Sequence, residues 1–347
     1  MISPTNAGSP RRPRVLLDPP QWMQPEDRNR LEETVELVEL DDDAPYDVPR
    51  LVQAVQDCQG LIRLGARVPE LTRDVLEAAP ALRIVGLRSD RFGSGIDMDA
   101  AEELGIAVVD ADNISSAHPV AEWDLAMILL CLRNAGAVFR QMLAGSETWA
   151  QAGNADFVCG ELTGRKVGLI GCGHVGQRLI ELLAPFRVDL RVCDPYLSDD
   201  TVLRLGIVRA DLDSVLRHAD ILVIQVPLTP RTTRLIGDRE LEQFGRGKIL
   251  INCSRGRVLD QDALIRRLQA GDLIAGLDVF DPEPLPRDHV LRTLPNVFIT
   301  PHIAWYAPNV FYRYFQNVAL DFERFFQGRP VEQGLTRRMV EIRHGRI

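Results

Sequence analysis

Residues 166–186 read KVGLIGCGHVGQRLIELLAPF. An apolar run at 167–170 leads into G-x-G-x-x-G at Gly171, Gly173 and Gly176, and an amphipathic stretch at 175–183 follows. The bare pattern also fits a plain glycine-rich turn from strand to helix. The order strand, glycine turn, helix makes it a dinucleotide fingerprint. Gly171 permits the tight turn, Gly173 lets the backbone approach a pyrophosphate, and Gly176 lets the helix pack closely on the strand. The free N–H groups and the dipole at the helix start hold the anion. The next apolar run ends at Asp194, about 20 residues on. An acid there accepts hydrogen bonds from the adenine ribose hydroxyls and repels a 2′-phosphate, so the loop points to NAD (NADH) in preference to NADP. Alone, Asp194 would read as a turn residue before Pro195.

Outward from this loop the chain alternates short apolar runs with amphipathic stretches. Upstream, strands are expected at 14–17, 35–40, 60–64, 82–87 and 107–110, with helices at 48–56 and 71–79. Downstream, strands are expected at 167–170, 190–193, 221–226, 249–252, 274–279 and 297–300, with helices at 175–183, 212–218 and 261–270. Such alternation predicts parallel sheets with helices on both faces. A single long helical pattern runs over 120–143, and 147–164 reads as a loop. A last helix at 310–326 is too little for a domain and is expected to pack on the first α/β unit.

The 347 residues suggest roughly two domains. Hydrophobic residues make up 46% and charged residues 26%, enough apolar material for a buried core. Forty Lys and Arg against 49 Asp and Glu leave a net charge of −9, which disfavours a broad nucleic-acid surface. No apolar run approaches the roughly 18 residues of a membrane span, so no membrane partner is expected. The polar start, residues 1–13, reads as a disordered tail. Six scattered cysteines without CxxC spacing read as reduced thiols of a cytoplasmic protein, with neither a disulfide frame nor a metal site.

Three later stretches fall at expected strand ends: LINCSRGRVLD (250–260), AGLDVFDPEPL (275–285) and VFITPHIAWYAP (297–308). In an open parallel sheet, ligands bind beyond the carboxyl ends of the strands. Arg255, Asp278 with Glu283, and His302 stand there. This is the set a ketone/alcohol redox site needs. A guanidinium grips a carboxylate in two prongs and polarises the neighbouring carbonyl. An imidazole gives a proton to the nascent alkoxide or takes it back. A carboxylate beside the imidazole favours its protonated form. Each residue also has a plain structural reading: Arg255 at a helix start, Glu283 in a solvated Pro-flanked loop, His302 in a turn after Pro301.

Several stretches together resemble the D-isomer-specific 2-hydroxyacid dehydrogenase family: VAEWDLAMILLCLRN (120–134), GLIGCGHVG (168–176), DPY (194–196), PLTPRTTRLI (227–236), INCSRG (251–256), GLDVFDPEP (276–284) and LPNVFITPHIA (294–304). The likeness spans roughly 60–305. It implies an α/β fold of two doubly wound parallel-sheet domains, a Rossmann NAD-binding domain (115–304) inserted into a flavodoxin-like substrate domain (14–114 and 305–347). It implies Arg255 as the substrate-binding residue, His302 as acid/base and Glu283 as its partner. His174 and Val175 would lie on the pyrophosphate and Asp194 on the ribose. Pro227 and Thr232 would line the cofactor cleft, while Cys253 (through its backbone) and Asp278 would fix the nicotinamide amide. The substrate would be a small 2-oxo or 2-hydroxy acid, and the assembly a homodimer built around the cofactor domain.

The sequence also departs from the family pattern. The stretch LRSDRFGSGIDMDAA (87–101) is one residue longer than usual, with Ser89, Asp90 and Arg91 where small residues are the rule. This loop and LIRLGARV (61–68), through Gly65, Ala66, Ser89 and Arg91, would contact substrate by backbone N–H groups. Arg88 or Arg91 would hold a second anionic group, or else form a solvent-facing salt bridge. Gln225 stands where the family often has His. Glu283 argues against the formate dehydrogenase branch, which carries an amide there. PHIAWYAP (301–308) is also similar to the C-terminal-binding corepressors, so the alternative is an NAD(H)-sensing interaction protein with little turnover.

Overall fold

The computed structural model describes residues 11–18, 23–39, 45–65, 67–88, 95–147, 149 and 160–346. The chain divides into two compact units, Met1–Ser115 with Ala307–Ile347, and Ser116–Tyr306.

The first unit carries β1 (Arg14–Asp18), β2 (Glu36–Glu39), β3 (Gly60–Arg63), β4 (Ile84–Leu87) and β5 (Ala107–Asp110). All pairings are parallel and the order is β2-β1-β3-β4-β5. That is the flavodoxin-type order. Side chains alternate between the two faces of each strand. Leu16, Leu61 and Val85 join Leu51, Val55 and Val75 on one face. Val15, Leu17, Ile62 and Ile84 meet Phe315, Val318 and Phe322 of the helix Pro308–Phe326 on the other. Both faces being covered, the strands read as continuous apolar runs.

The second unit carries β6 (Lys166–Ile170), β7 (Asp189–Cys193), β8 (Val208–Arg209), β9 (Ile221–Ile224), β10 (Lys248–Asn252), β11 (Leu273–Leu277) and β12 (Val297–Ile299). The sheet is parallel, in the order β12-β11-β10-β9-β6-β7-β8. With β6 as first strand, six of these follow the Rossmann order, and β12 extends the sheet beyond β11. Strand order reverses between β6 and β9, which pair from Val167↔Ile221 to Ile170↔Ile224. A crevice for a ligand lies beyond the carboxyl ends at such a reversal. Two apolar layers cover the sheet, one around Phe244, Leu250 and Leu264, the other around Ile128, Leu169 and Ile251.

The long helix expected over 120–143 is two helices. Asp112–Leu132 and Ala135–Ala144 meet at an angle of 64°. Asn134 between them has φ 43, the left-handed conformation that asparagine tolerates better than other non-glycine residues. The apolar pattern continues across the break, so periodicity alone does not reveal it. β8 was not foreseen because both its residues are exposed and it is only two long. Of the expected loop over 147–164, residues 148 and 150–159 lie outside the described residues, as do 1–10 of the expected tail. Among the described residues no single helix is long and apolar enough to cross a membrane.

Candidate active site

β6 ends at Ile170 and the chain turns at Gly171, which has φ 93. A Cβ on Gly171 would lie 2.3 Å from the Gln225 carbonyl oxygen, so only glycine fits at this crossing from β6 to β9. Gly176 sits in the first turn of the helix His174–Leu183, and a Cβ there would lie 2.6 Å from the Gly171 oxygen. Gly173 differs: its Cβ direction meets nothing within 4 Å, and the residue is exposed. Space is therefore open at Gly173, where the helix begins. A diphosphate has both the room and the donors it needs there.

Asp194 follows β7 and reaches back to this turn. Its Oδ2 accepts from the Cys172 N–H at 2.8 Å and its Oδ1 from the Tyr196 N–H at 2.9 Å. Each oxygen keeps a lone pair for a further donor. After β9, the Pro227–Thr232 loop is cross-braced. The Thr232 hydroxyl donates to the Pro227 carbonyl at 2.6 Å and accepts from the Thr229 N–H at 2.8 Å.

Arg255 and His302 occupy the ends of β10 and β12. Asn252, fully buried, builds the first turn. Its Oδ1 accepts from the Ser254 N–H and hydroxyl at 3.0 and 2.8 Å, and its Nδ2 donates to the Arg255 carbonyl at 3.0 Å. Arg255 itself is half-buried and donates from Nη1 to the Ser254 carbonyl at 2.6 Å. The next residue, Gly256, lies so close to Phe280 that a Cβ would come within 1.9 Å of the Phe280 oxygen. Phe280 in turn donates its N–H to Glu283 Oε1 at 2.8 Å. The other oxygen, Oε2, lies 2.8 Å from Nδ1 of His302. A continuous line of contacts thus runs from the Arg255 turn through Phe280 and Glu283 to His302. With Nδ1 engaged by Glu283, Nε2 is the ring atom left to face a reactant. A cavity of about 590 Å³ lined by Phe280, Glu283, Leu285, Ile299 and Thr300 opens beside His302.

His302 has φ 56, and Asp278 holds it there. The Asp278 carbonyl accepts the His302 N–H at 2.9 Å. Its carboxylate accepts from the Thr300 hydroxyl at 2.5 Å and from the Ile303 and Ala304 N–H groups at 3.0 and 2.9 Å. Asp278 is 0% exposed, and its carboxylate braces the 300–304 loop. The hold on this loop comes in addition to the nicotinamide contact expected of Asp278 from the sequence. Cys253 is likewise buried, and burial pushes its thiol well up.

In the first unit, Gly65 packs against Asp18, toward which a Cβ would come within 2.5 Å. Asp18 is fully buried and paired with Arg67 at 2.8 Å. Ala66, Ser89 and Arg91 lie outside the described residues. The Arg88 guanidinium stacks over the Tyr314 ring, 5.4 Å from its centroid.

Sequence reasoning missed Trp123, Asp124, Gln225 and Asn252 as supports of the site. Trp123 donates from Nε1 to the Thr300 hydroxyl at 3.3 Å. For Asp124 a signal was available: it shares a helical face with Ala121 and Ile128, and all three are 0% exposed.

Residues 125–304 match the model of the D-isomer specific 2-hydroxyacid dehydrogenase NAD binding domain. D-3-phosphoglycerate dehydrogenase of Methanocaldococcus jannaschii is 35% identical over 258 residues, covering 73% of this chain and 47% of that protein. The chain thus spans about half the length of that relative. Glyoxylate reductase of Korarchaeum cryptofilum is 30% identical over 317 residues, covering 91% and 94% of the two chains. Among solved structures, a phosphoglycerate oxidoreductase from Rhizobium etli superposes with a TM-score of 0.81 at 26% identity, over 93% of this chain and 98% of that one.

Proposed function

Because the chain belongs to the D-isomer-specific 2-hydroxyacid dehydrogenase family, we propose that it oxidises or reduces a small 2-hydroxy or 2-oxo acid with NAD(H). The observation that carries this reading is the Glu283–His302 pair at 2.8 Å, one strand away from the end of β10 that bears Arg255. The corepressor-like alternative draws no support from the relatives described above, which bear dehydrogenase and reductase names.

Gly171, Gly173, His174, Val175 and Gly176 would hold the cofactor diphosphate, with Pro227 and Thr232 along the same crevice, and Cys253 (through its backbone) and Asp278 at the nicotinamide amide. Asp194 would accept from the ribose hydroxyls. A 2′-phosphate would bring a second negative charge against it, which favours NAD over NADP. Bound NAD(H) supplies the hydride or takes it up. The chain supplies the rest. Arg255 engages the substrate carboxylate and draws electron density from the adjacent carbonyl. His302, protonated, donates from Nε2 to the oxygen that becomes the alcohol; in the reverse direction the neutral ring accepts that proton. Glu283 keeps the proton on Nδ1 and stabilises the imidazolium. Asp278 acts through the 300–304 loop by fixing the backbone on which His302 rides. Backbone N–H groups at Gly65, Ala66, Ser89 and Arg91 would complete the substrate contacts.

A homodimer is supported by the apolar side chains left on the helix Ala135–Ala144, where Phe139 is 64% exposed and Leu143 74%. The free thiols at Cys58, Cys131, Cys172, Cys193 and Cys253 fit a reducing, cytoplasmic setting. The test is NADH oxidation by the purified chain against glyoxylate, hydroxypyruvate, pyruvate and bulkier 2-oxo acids. One or more should accelerate it, and His302→Ala should abolish the acceleration. Indifference to every acid, or to that substitution, defeats the reading.

A further inference from the structure

β9, β10 and β11 are neighbours in the sheet, and the first residue beyond each is Gln225, Cys253 and Asp278. One side chain from the helix Asp112–Leu132 faces all three. Asp124 is 0% exposed. Its Oδ1 and Oδ2 lie 3.0 and 2.7 Å from Nε2 of Gln225, its carboxyl is hydrogen-bonded to the Cys253 thiol, and the Asp278 carboxylate acts on it through space. Each of the three leads into a different part of the site. The Gln225 carbonyl is what forces glycine at 171, and the Gln225 N–H donates to the Ile170 carbonyl at 2.7 Å. Cys253 opens the turn that carries Arg255, and Asp278 holds the His302 loop. The residue before Asp124 on the same helix, Trp123, reaches Thr300.

We propose that Asp124 is a positioning residue which, acting through Gln225 and Cys253, sets the two strand ends that carry the glycine turn and Arg255. The inference rests on the cofactor reading above and adds a residue that does not itself touch cofactor or substrate. A buried acid without a cationic partner among the described residues is an expensive choice for a merely apolar helix face. It is accounted for if its shape and its acceptors are what the strand ends require. Burial, reinforced by the Asp278 charge and opposed by the Cys253 and Gln225 hydrogen bonds, pushes its acid form up to about 8. The carboxyl is therefore mostly neutral at pH 7, and asparagine is its close mimic. The titratable groups facing it are the Cys253 thiol and the Asp278 carboxylate.

The test is NADH binding, read by the change in cofactor fluorescence, on the full chain carrying Asp124→Ala, Asp124→Asn or Gln225→Met. Asp124→Ala and Gln225→Met each break the Asp124–Gln225 contact and should weaken NADH by about tenfold or more, the equivalent of about 1.4 kcal/mol. Asp124→Asn keeps an acceptor for Gln225 and should recover the affinity to within about threefold. Between pH 7 and 9 the wild type should lose affinity as the buried acid gives up its proton, and the Asn chain should lose less. Gln225→Met reports on the same contact if the Ala chain does not fold. Wild-type affinity in the Ala and Met chains, or the same pH course in the wild type and the Asn chain, overturns the proposal alone. A wild-type chain that binds no NADH overturns the cofactor reading and this inference with it.

Discussion

Replacing Asp124 by Asn keeps the shape of the side chain and removes its titration, and the consequence for stability can be worked out. The carboxyl ionises near 3.8 when free and near 8 when folded. Because the folded value is the higher, the native chain holds a proton that the unfolded chain gives up. The stability linked to this group is complete below pH 3.8 and drains away as the pH rises to about 8. The slope is about 1.4 kcal/mol per pH unit inside that window. Between pH 5 and 7 the wild type should therefore lose about 2.7 kcal/mol relative to Asp124→Asn. For a unit of the size of Ser116–Tyr306, each kcal/mol moves the melting temperature by roughly 2–4 °C. Calorimetric scans of both chains at pH 5, 6 and 7 should show the gap shifting toward the Asn chain by roughly 5–11 °C. A gap that stays constant over this range means the buried carboxyl is ionised throughout, and the account of its protonation is wrong.

Three further outcomes follow from the site. His302→Ala should lower kcat by about 10²–10⁴ while leaving NADH affinity near wild type, and Glu283→Gln should lower kcat in the same direction through the lost orientation of the ring; a Glu283→Gln chain with wild-type kcat would remove the carboxylate from the mechanism. Asp194→Ser should weaken NADH and strengthen NADPH, shrinking the preference by about tenfold or more, measured as the ratio of the two dissociation constants. Changing Phe139 and Leu143 together to Asp should convert a dimer to monomer in sedimentation velocity; a dimer that survives both charges is built on another face.

Both sheets were legible because they are parallel and covered on both faces, so Ile221–Ile224 and Lys248–Asn252 stand out as unbroken apolar runs. β8 was not, since an exposed two-residue strand at a sheet edge leaves no pattern. The break at Asn134 hid for the opposite reason. Phe139, Met142 and Leu143 continue the apolar rhythm on the surface, and a rhythm says nothing about whether its side chains are buried. At the site, the glycine turn was readable because its chemistry is local. So were the residue types at the three strand ends. The loop bonds of Asp278 were not legible, because sequence marks a position without telling which backbone groups will come to its carboxylate. Gln225 was visible only as an unusual residue, and its meaning lies in Asp124, about a hundred residues earlier in the chain.

The bonds from Asp278 to the 300–304 loop bear on how this protein should be dissected. That residue holds a histidine at φ 56 through its own carbonyl and through carboxylate bonds to Thr300, Ile303 and Ala304. Alanine at 278 would remove the carboxylate bonds to the loop and should lower activity in the same direction as alanine at 302. Mutational scanning that scores activity alone would rank the two positions together and not distinguish the loss of an imidazole from the loss of the loop that holds it. Adding imidazole to the truncated chains separates them: a cavity left by His302→Gly can accept the free base, while a misfolded loop offers nowhere for it to dock.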